Sequence, residues 1–354
     1  YSVARPLFEA YPLVITSTYN AANTYVAAGS LEKGIPPMPP LDLGNGIIDL
    51  PGTVADTTIE QNFRRGYIQS FNFTIQRELP FGFTGQAGYV GTRSIRQSAL
   101  ININAAAPGG GAAGQPLMIR FGRSAATRVH TPGFTSNYNS LQAKLERRFS
   151  AAWLATFSYT FSKSIAYGAN SDSGMFFQTR SAFERNRAIT SFDRPHNFQA
   201  SLVAELPFGK GKRWLSGGIL ALLAGGWQAN SVFSSYTGTP FTVSSAGTSL
   251  NAPGNSQVAD LVKTRVEKLG NVGRGSSFFD PFAFRAVTEP RFGTAGLNIL
   301  RGPGVVNLDG GLFRDLCRRL GRLGRRLHYA FGYFRSSFDD RSPYLGDWHH
   351  GARR

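Results

Sequence analysis

The sequence predicts an all-β protein, a partial antiparallel β-barrel that spans a membrane. First, glycine (41 residues) and aromatic residues (13%) are abundant, whereas charged residues make up only 17% of the 354 residues, below the ~25% of an ordinary soluble domain. Second, several long segments alternate apolar and polar side chains, which is typical of strands with one apolar face. Third, short and long connections alternate along the chain, as in outer-membrane barrels.

The composition also excludes other classes of protein. Abundant aromatics and few charges exclude a disordered chain, and the glycine content disfavours a coiled coil or a long helical bundle. The single cysteine, Cys317, excludes a disulfide framework and a cysteine-based zinc site. Residues 219–224 form the longest apolar stretch, far shorter than the ~20 residues of a membrane-spanning helix.

The first predicted hairpin covers residues 67–77 and 83–92. In its first strand the odd positions are mainly aromatic or aliphatic, including Phe71 and Phe73, and the even positions are mainly small or polar. The second strand alternates in the same way. Proline and glycine in residues 79–82 predict a tight turn between the two strands.

The same unit recurs further along the chain. Residues 139–149 and 153–162 alternate most clearly, with a short turn near Ser150. Residues 196–206 follow the same pattern, and weaker copies occupy 227–237 and 305–313. These segments predict further strands of the same sheet.

The connections between these strands favour a membrane barrel. The connections after residue 77 and at Ser150 are short, whereas residues 93–138 and 164–195 form long ones. This alternation is typical of short periplasmic turns and long outer loops. Residues 207–226 are an exception, because a short turn is expected there. Either a small helix or a periplasmic elbow accounts for this segment.

A soluble alternative stays open at this point. In a secreted or surface β-sandwich that binds carbohydrate or surfaces, the apolar face would pack on a second sheet. Such a core would bury Phe71, Phe73, Phe157 and Phe161. The predicted strands, however, have the ~9–11 residues of a tilted membrane strand, and aromatic residues lie near their ends, as at a membrane interface.

No motif predicts catalysis, so we expect no enzyme and no catalytic, cofactor-binding or metal-binding residues. The glycine cluster at 109–114 lacks the strand–loop–helix context of a phosphate site and fits a mobile outer loop. Asp193 and His196 suggest a proton relay or, more simply, a capped strand start with an ion pair. The five histidines do not fall at metal-ligand spacings, apart from the adjacent pair His349 and His350.

The formal net charge of +17 raises the question of nucleic-acid binding. Basic residues are scattered over predicted lumenal and loop positions, so we expect no nucleic acid as partner. A solvated lumenal surface explains the charge, and in an outer membrane such residues would meet lipopolysaccharide phosphates or anionic solutes.

Several segments resemble a known family when taken in order. Together they resemble the late barrel region of large TonB-dependent receptors of the Oar-like type, which often carry an N-terminal carboxypeptidase-regulatory-like domain. The resemblance covers about residues 1–316 and depends on these segments: NFRRGYIQSFN at 62–72, NYNSLQA at 137–143, DRPHNF at 193–198, GWQ at 226–228, SYTGTPF at 235–241 and RGPG at 301–304.

The resemblance implies a location in the cell outer membrane and a barrel of about 22 strands with a plugged lumen. It implies energy-coupled uptake of a bulky, unknown ligand, driven by the TonB energy-coupling complex through an N-terminal plug. This chain lacks the plug and TonB box, so its expected role is the structural pore wall, in contact with outer-membrane lipid and lipopolysaccharide. Family ligand residues lie mostly in the plug and outer loops, and none transfers to this sequence.

The predicted organisation has three parts. Residues 1–66 form an outer loop and a preceding barrel segment, and residues 67–316 form the barrel strands and loops. Residues 317–354 are an atypical arginine-rich tail, for which a frame-shifted reading or an amphipathic helix on anionic lipid are the two explanations. We expect the tail to be poorly packed and without function, and the chain to be unable to close a barrel alone.

Overall fold

The computed structural model describes residues 2–4, 32, 52–53, 55–150, 152–168, 175–271, 273, 275–315 and 328–339. Two short helices, α1 (Pro116–Phe121) and α2 (Gly218–Ala224), lie between strands. Three 3-10 segments cover Pro80–Gly82, Arg180–Asn186 and Pro281–Ala283. The strands are β1 (Ser2–Ala4), β2 (Asp56–Ile59), β3 (Tyr67–Leu79), β4 (Phe83–Asn102), β5 (Thr127–Ser150), β6 (Trp153–Tyr167), β7 (Arg187–Ile189), β8 (His196–Glu205), β9 (Trp227–Tyr236), β10 (Pro240–Phe241), β11 (Asp260–Leu261), β12 (Phe284–Arg285), β13 (Leu300–Arg301), β14 (Val305–Asp315) and β15 (His328–Asp339).

One large sheet dominates the fold. Nine of the described strands follow one another in the order β1-β3-β4-β5-β6-β8-β9-β14-β15, and every neighbouring pair on this path is antiparallel. β2 adds to β5 in parallel, and β7 adds to β6. The predicted all-β antiparallel fold is confirmed.

Tight turns close one end of the hairpins. Between β3 and β4, Phe81 and Gly82 adopt left-handed backbone angles (φ 63° and 74°), and Gly82 does so without steric cost. Between β5 and β6, Ala152 takes the left-handed conformation with φ 75°. The pairing of Leu79 with Phe83 shows that the β3–β4 ladder continues to the turn.

Two strands are longer than the sequence pattern predicts. β4 continues to Asn102 and β5 begins at Thr127, so the predicted connection 93–138 is wrong and the true one covers only residues 103–126. Backbone pairing continues through this region with register shifts near Gln97. Alternation fades there because the ribbon lies beside the cap, where small and polar residues such as Ala99, Asn102 and His130 are buried.

The connection between β8 and β9 contains a helix. Of the two predicted explanations, the small helix is correct, because residues 218–224 form α2. Before it, Phe208 and Trp214 form a β-bridge that folds the segment back on itself. No helix in the described parts of the chain is long and apolar enough to cross a membrane.

The buried core lies in the long connections rather than in the sheet. We call residues 103–126, 175–195 and 237–304 the cap, since these three connections pack together at one end of the sheet. Phe177, Ala182, Val258 and Ala295 form its buried apolar cluster. Phe176, Leu261, Phe284, Phe292 and Leu297 surround this cluster.

The tail differs in part from its prediction. β15 pairs with β14 along its whole length, from Val305 opposite Asp339 to Asp315 opposite His328. This part of the tail therefore belongs to the sheet, and the poor packing of the tail stays a prediction. The proposed helix around Leu320 and Leu323 lies outside the described residues. Within the described sheet, β1 and β15 are the two edges, and no pairing joins them.

Candidate functional site: the two sheet faces and the cap

The strand registers place large apolar side chains in rows on one face of the sheet. Phe73 lies opposite Tyr89, Tyr89 opposite Leu141, and Leu141 opposite Phe161. Phe73, Leu141 and Phe161 keep 69%, 53% and 49% of their surface exposed. We call this the apolar face. An apolar row exposed across four strands is unsuited to water and typical of contact with lipid.

The same exposure excludes the β-sandwich alternative. A sandwich would bury Phe71, Phe73 and Phe161 between two sheets, yet all three side chains are exposed. No second sheet covers them among the described residues. The sandwich hypothesis is therefore wrong for this chain.

The opposite face carries polar rows, and we call it the polar face. On this face Lys144 forms an ion pair with Glu146, with 2.5 Å between Nζ and Oε2. Such a surface suits water. One row runs across seven strands and consists of Gln76, Gln86, Lys144, Ser158, Gln199, Ser234 and Asn307.

Aromatic and arginine side chains mark the turn end of the apolar face. The Arg147 guanidinium lies 3.7 Å above the Trp153 ring, and its Nε donates to the Phe81 carbonyl at 2.9 Å. Arg314 lies 5.6 Å from the Trp227 ring in the same arrangement. Tryptophan and arginine with apolar bodies and polar tips are characteristic of a membrane interface.

A second aromatic belt lies towards the loop end. The Tyr89 hydroxyl donates to Asn139 Oδ1 at 2.6 Å, and the Tyr159 hydroxyl lies 2.7 Å from His196 Nδ1. From Trp153 at the turn end to Phe161 in this belt, β6 rises about 26 Å. At the usual strand tilt of ~35–45°, this length spans about 20 Å along the membrane normal, most of the ~25 Å apolar band of outer-membrane barrels.

The half-buried amide of Asn255 joins the three connections of the cap. Asn255 Oδ1 accepts hydrogen bonds from the backbone nitrogens of Gln178 (2.7 Å) and Thr179 (3.1 Å). Its Nδ2 donates to the Ala106 carbonyl at 2.9 Å. A single side chain therefore connects residues from all three connections, and it satisfies backbone groups that these turns leave without a ladder partner.

Asp260 and Arg291 form a bidentate ion pair in the cap. Arg291 donates from both terminal nitrogens to the two carboxylate oxygens of Asp260, at 2.9 and 2.8 Å. The backbone nitrogen of Thr294 adds a third bond at 3.1 Å. These donors, with Arg291 contributing most, lower the pKa of Asp260 from 3.8 to about 2, because they stabilise the charged carboxylate.

Asp193 joins the cap to the sheet. Its Oδ1 accepts from the Ser164 backbone nitrogen at 2.6 Å, and its Oδ2 pairs with Arg301. His196 instead contacts Tyr159. The expected ion pair at the start of β8 is therefore present, whereas Asp193 and His196 show no direct contact for a relay.

A cavity of about 860 Å³ lies where the cap meets the sheet. Phe198 and Val306 line its wall, and both belong to the apolar face. Phe279 and Ile299 of the cap line its other side. The cavity therefore opens on the apolar face and is separate from the polar rows.

The polar lining of this cavity is basic. His196, Lys268 and Arg301 contribute to it, and the Arg301 guanidinium is already paired with Asp193. Together with the apolar wall, this chemistry suits a molecule with an apolar body and an anionic group. No sequence pattern predicts this cavity, because its lining comes from segments far apart in the chain.

The glycine cluster at 109–114 and the turn after β8 both form contacts with other parts of the protein. In the glycine cluster, Gly109 and Gly111 donate backbone hydrogen bonds to the carbonyls of Leu250 and Asn251, which fixes the cluster within the cap. Residues 209–213, after β8, form a turn rich in lysine and arginine, which we call the basic turn. Its Lys212 pairs with Glu205 at 2.6 Å. Among the described residues, no group of three or more histidine, cysteine, aspartate or glutamate side chains is arranged to hold a metal.

Comparison with known proteins identifies the family. Residues 2–327 match the model of the family described as outer membrane beta barrel domain. The chain belongs to this family. Its match continues beyond Leu316, where the sequence pattern placed the start of the atypical tail. No curated protein matches the chain.

Among solved structures, the chain is similar to the outer membrane transporter YddB from Escherichia coli. The two share 7% sequence identity with a TM-score of 0.41. The alignment covers 74% of this chain and 28% of the transporter chain, so this chain matches less than a third of that protein.

Family membership indicates which face of the sheet contacts lipid and which faces the inside of the barrel. The protein is located in the outer membrane, and its apolar face contacts lipid. The polar face is the inner face of the barrel wall. By the usual arrangement of such barrels, the tight turns point to the periplasm and the cap lies outside.

We expect the loss of stability caused by an arginine substitution on the apolar face to depend on the depth of that position in the membrane. Phe157→Arg, midway between the two belts, should lower the free energy of unfolding by about 2–4 kcal/mol, and Phe161→Arg by only about 0–1 kcal/mol. Denaturant titration of the protein in lipid vesicles measures both values. Ser158→Arg, on the polar face, is the matched control and should cost little. Equal costs at Phe157 and Phe161 would contradict contact with lipid.

We expect Asp260→Asn to loosen the cap. Loss of the charged hydrogen bonds should lower the free energy of local opening by about 1.5–3 kcal/mol, measured by amide hydrogen exchange at residues 257–261 and 291–295. Glu289→Gln is the control, since Glu289 also pairs with Arg291 but is 66% exposed; it should cost less than about 1 kcal/mol. Similar effects of both variants would refute the special role of Asp260.

The same ion pair predicts how cap stability depends on pH. Because the folded-state pKa of Asp260 is lowered from 3.8 to about 2, its contribution is complete above about pH 4 and is lost as the pH falls towards 2. Near-ultraviolet circular dichroism should report loss of cap packing over that range. In Asp260→Asn this component should be absent, and an unchanged acid transition would contradict the assignment.

Proposed function

We propose that this chain forms part of the wall of a TonB-dependent transporter of the Oar-like type, which takes up a bulky ligand. The polar row across seven strands, from Gln76 to Asn307, is the observation that carries the proposal. A polar face of this width, opposite a lipid-facing one, suits a hydrated lumen through which a solute passes.

The number of strands supports a wide barrel. Nine successive strands in one sheet exceed the eight of the small barrels, whose interiors are filled by side chains. A barrel that includes this sheet therefore has room for a water-filled or plugged lumen. The ordered segments shared with the Oar-like receptors favour the plugged, energy-coupled type.

The cap supplies an ordered surface at the outer end. Asn255 joins its three connections, and the Asp260–Arg291 pair fixes the longest of them internally. An approaching ligand therefore meets a defined surface rather than separate loops. We propose that this surface contributes to ligand capture, and that the wall itself is structural and not catalytic. Outer-membrane lipid and lipopolysaccharide surround the wall, and the TonB complex acts through the plug.

Uptake measurements on whole cells test this proposal. Cells with and without the gene are supplied with a peptide digest, a dextrin mixture and ferric chelates, and depletion of each from the medium is followed by mass spectrometry. We expect depletion of one class to require both the gene and the proton gradient, so that a protonophore abolishes it.

Two other outcomes would overturn the proposal. Gene-dependent depletion that a protonophore leaves unchanged would indicate a passive pore. Equal depletion with and without the gene, for all three classes, would remove the transport role. Asp260→Asn in the same cells should lower the rate of uptake if the cap contributes to capture, and Glu289→Gln is the matched control.

A further inference from the structure

The helix between β8 and β9 exposes an apolar surface at the turn end of the sheet. In α2, Ala221 is buried, whereas Ile219, Leu220 and Leu223 keep 75%, 61% and 58% of their surface exposed. Trp214, just before the helix, is also half exposed. Four large apolar side chains close together would be unfavourable in water.

The helix is tied to the lipid-facing side of the wall. The indole Nε1 of Trp227 donates to the Leu223 carbonyl, and the Nε of Arg314 donates to the Gly225 carbonyl, both at 3.3 Å. Trp227 and Arg314 pair across β9 and β14 in register with Ala229 and Leu312, which places them on the apolar face. The end of α2 therefore lies at the level of the turn-end belt.

Close backbone packing fixes this position. A Cβ added at Gly209 would lie 2.5 Å from the Gly225 Cα, so the basic turn and the end of α2 approach each other more closely than side chains allow. Gly209 has a left-handed φ of 104°, a conformation that glycine adopts at little cost. The turn and the end of α2 are consequently packed against each other.

Basic side chains border the apolar surface. Lys210 and Arg213 are exposed, and the Arg213 guanidinium lies 5.6 Å from the Trp214 ring. Lys212 is engaged with Glu205. Tryptophan beside arginine and lysine, next to an aliphatic surface, is the composition of segments that lie in the headgroup region of a membrane.

We propose that α2, with Trp214, is an interfacial anchor that inserts Ile219, Leu220 and Leu223 into the phospholipid leaflet at the periplasmic side. The occupant is lipid because the exposed surface continues the lipid-facing wall at the Trp227–Arg314 belt. Lys210 and Arg213 contact the phosphate groups of that leaflet. The inference depends on the outer-membrane location and not on the proposed transport.

Site-directed spin labelling tests the anchor. In a Cys317→Ser background, Leu220→Cys and Leu223→Cys are labelled with a nitroxide in the folded protein, in vesicles of phosphatidylethanolamine and phosphatidylglycerol. Collision with oxygen, which concentrates in lipid, is compared with collision with a water-soluble nickel chelate. Leu202→Cys, on the apolar face, is the lipid control, and Glu289→Cys, at an exposed position of the cap, is the water control.

We expect the oxygen-to-nickel ratio at 220 and 223 to approach that at 202 and to exceed that at 289 several-fold. A ratio equal to that at 289 would show that α2 lies in water and would overturn the proposal. Low collision with both reagents would also overturn it, because it would show that protein, such as a periplasmic partner or a second copy, covers the helix. Circular dichroism of each labelled variant confirms that the sheet is folded.

A second measurement uses the charge of the leaflet. If Lys210 and Arg213 contact lipid phosphates, the double variant Lys210→Gln, Arg213→Gln should lower the oxygen-to-nickel ratio at Leu220→Cys. This decrease should be larger in vesicles with phosphatidylglycerol than in vesicles of neutral lipid. The same ratio in both proteins and both lipids would refute the contact with phosphates.

Discussion

The structure depends on one constraint, which is that a backbone in hydrocarbon has no water with which to form hydrogen bonds. Each strand of the wall must therefore pair with a neighbour, and β3 to β9 do so in an antiparallel path with near-continuous registers. Once the backbone is paired, side chains are free to differ between the faces. The alternation of Phe157 with Ser158 in β6 is the direct result, because one side chain meets lipid and the next meets the lumen.

A wall between two solvents has no interior, and this explains where the buried core lies. The large side chains of the wall face lipid, so the cluster around Phe177 and Val258 forms in the cap, outside the membrane. There the chain has water around it, and apolar burial again stabilises packing. Irregular turns leave many backbone groups to satisfy, which is why Asn186 and Asn255 each make several hydrogen bonds within this small core.

The difference between the wall in the membrane and the cap in water also explains which features the sequence could predict. Period-two alternation located β3, β6, β8 and β9 because their faces meet different solvents. It failed for residues 93–102 and 127–138, where the ribbon lies beside the cap and polar residues such as Asn102 and His130 are buried. The Asp260–Arg291 pair and the cavity beside Phe198 depend on residues distant in the chain, and a single sequence carries no signal for such contacts. The origin of the tail beyond Leu316 stays a prediction.

Arginine side chains have two structural roles in this protein, one at the turn end of the sheet and one in the cap. At the turn end, Arg147 and Arg314 lie against tryptophan rings while their nitrogens reach backbone carbonyls. In the cap, Arg291 binds both oxygens of one carboxylate. Both tasks need a planar group with several donors that stays charged next to apolar surface, and lysine lacks that geometry. Arginine thus serves the interface and the cap through its donor geometry as well as its charge.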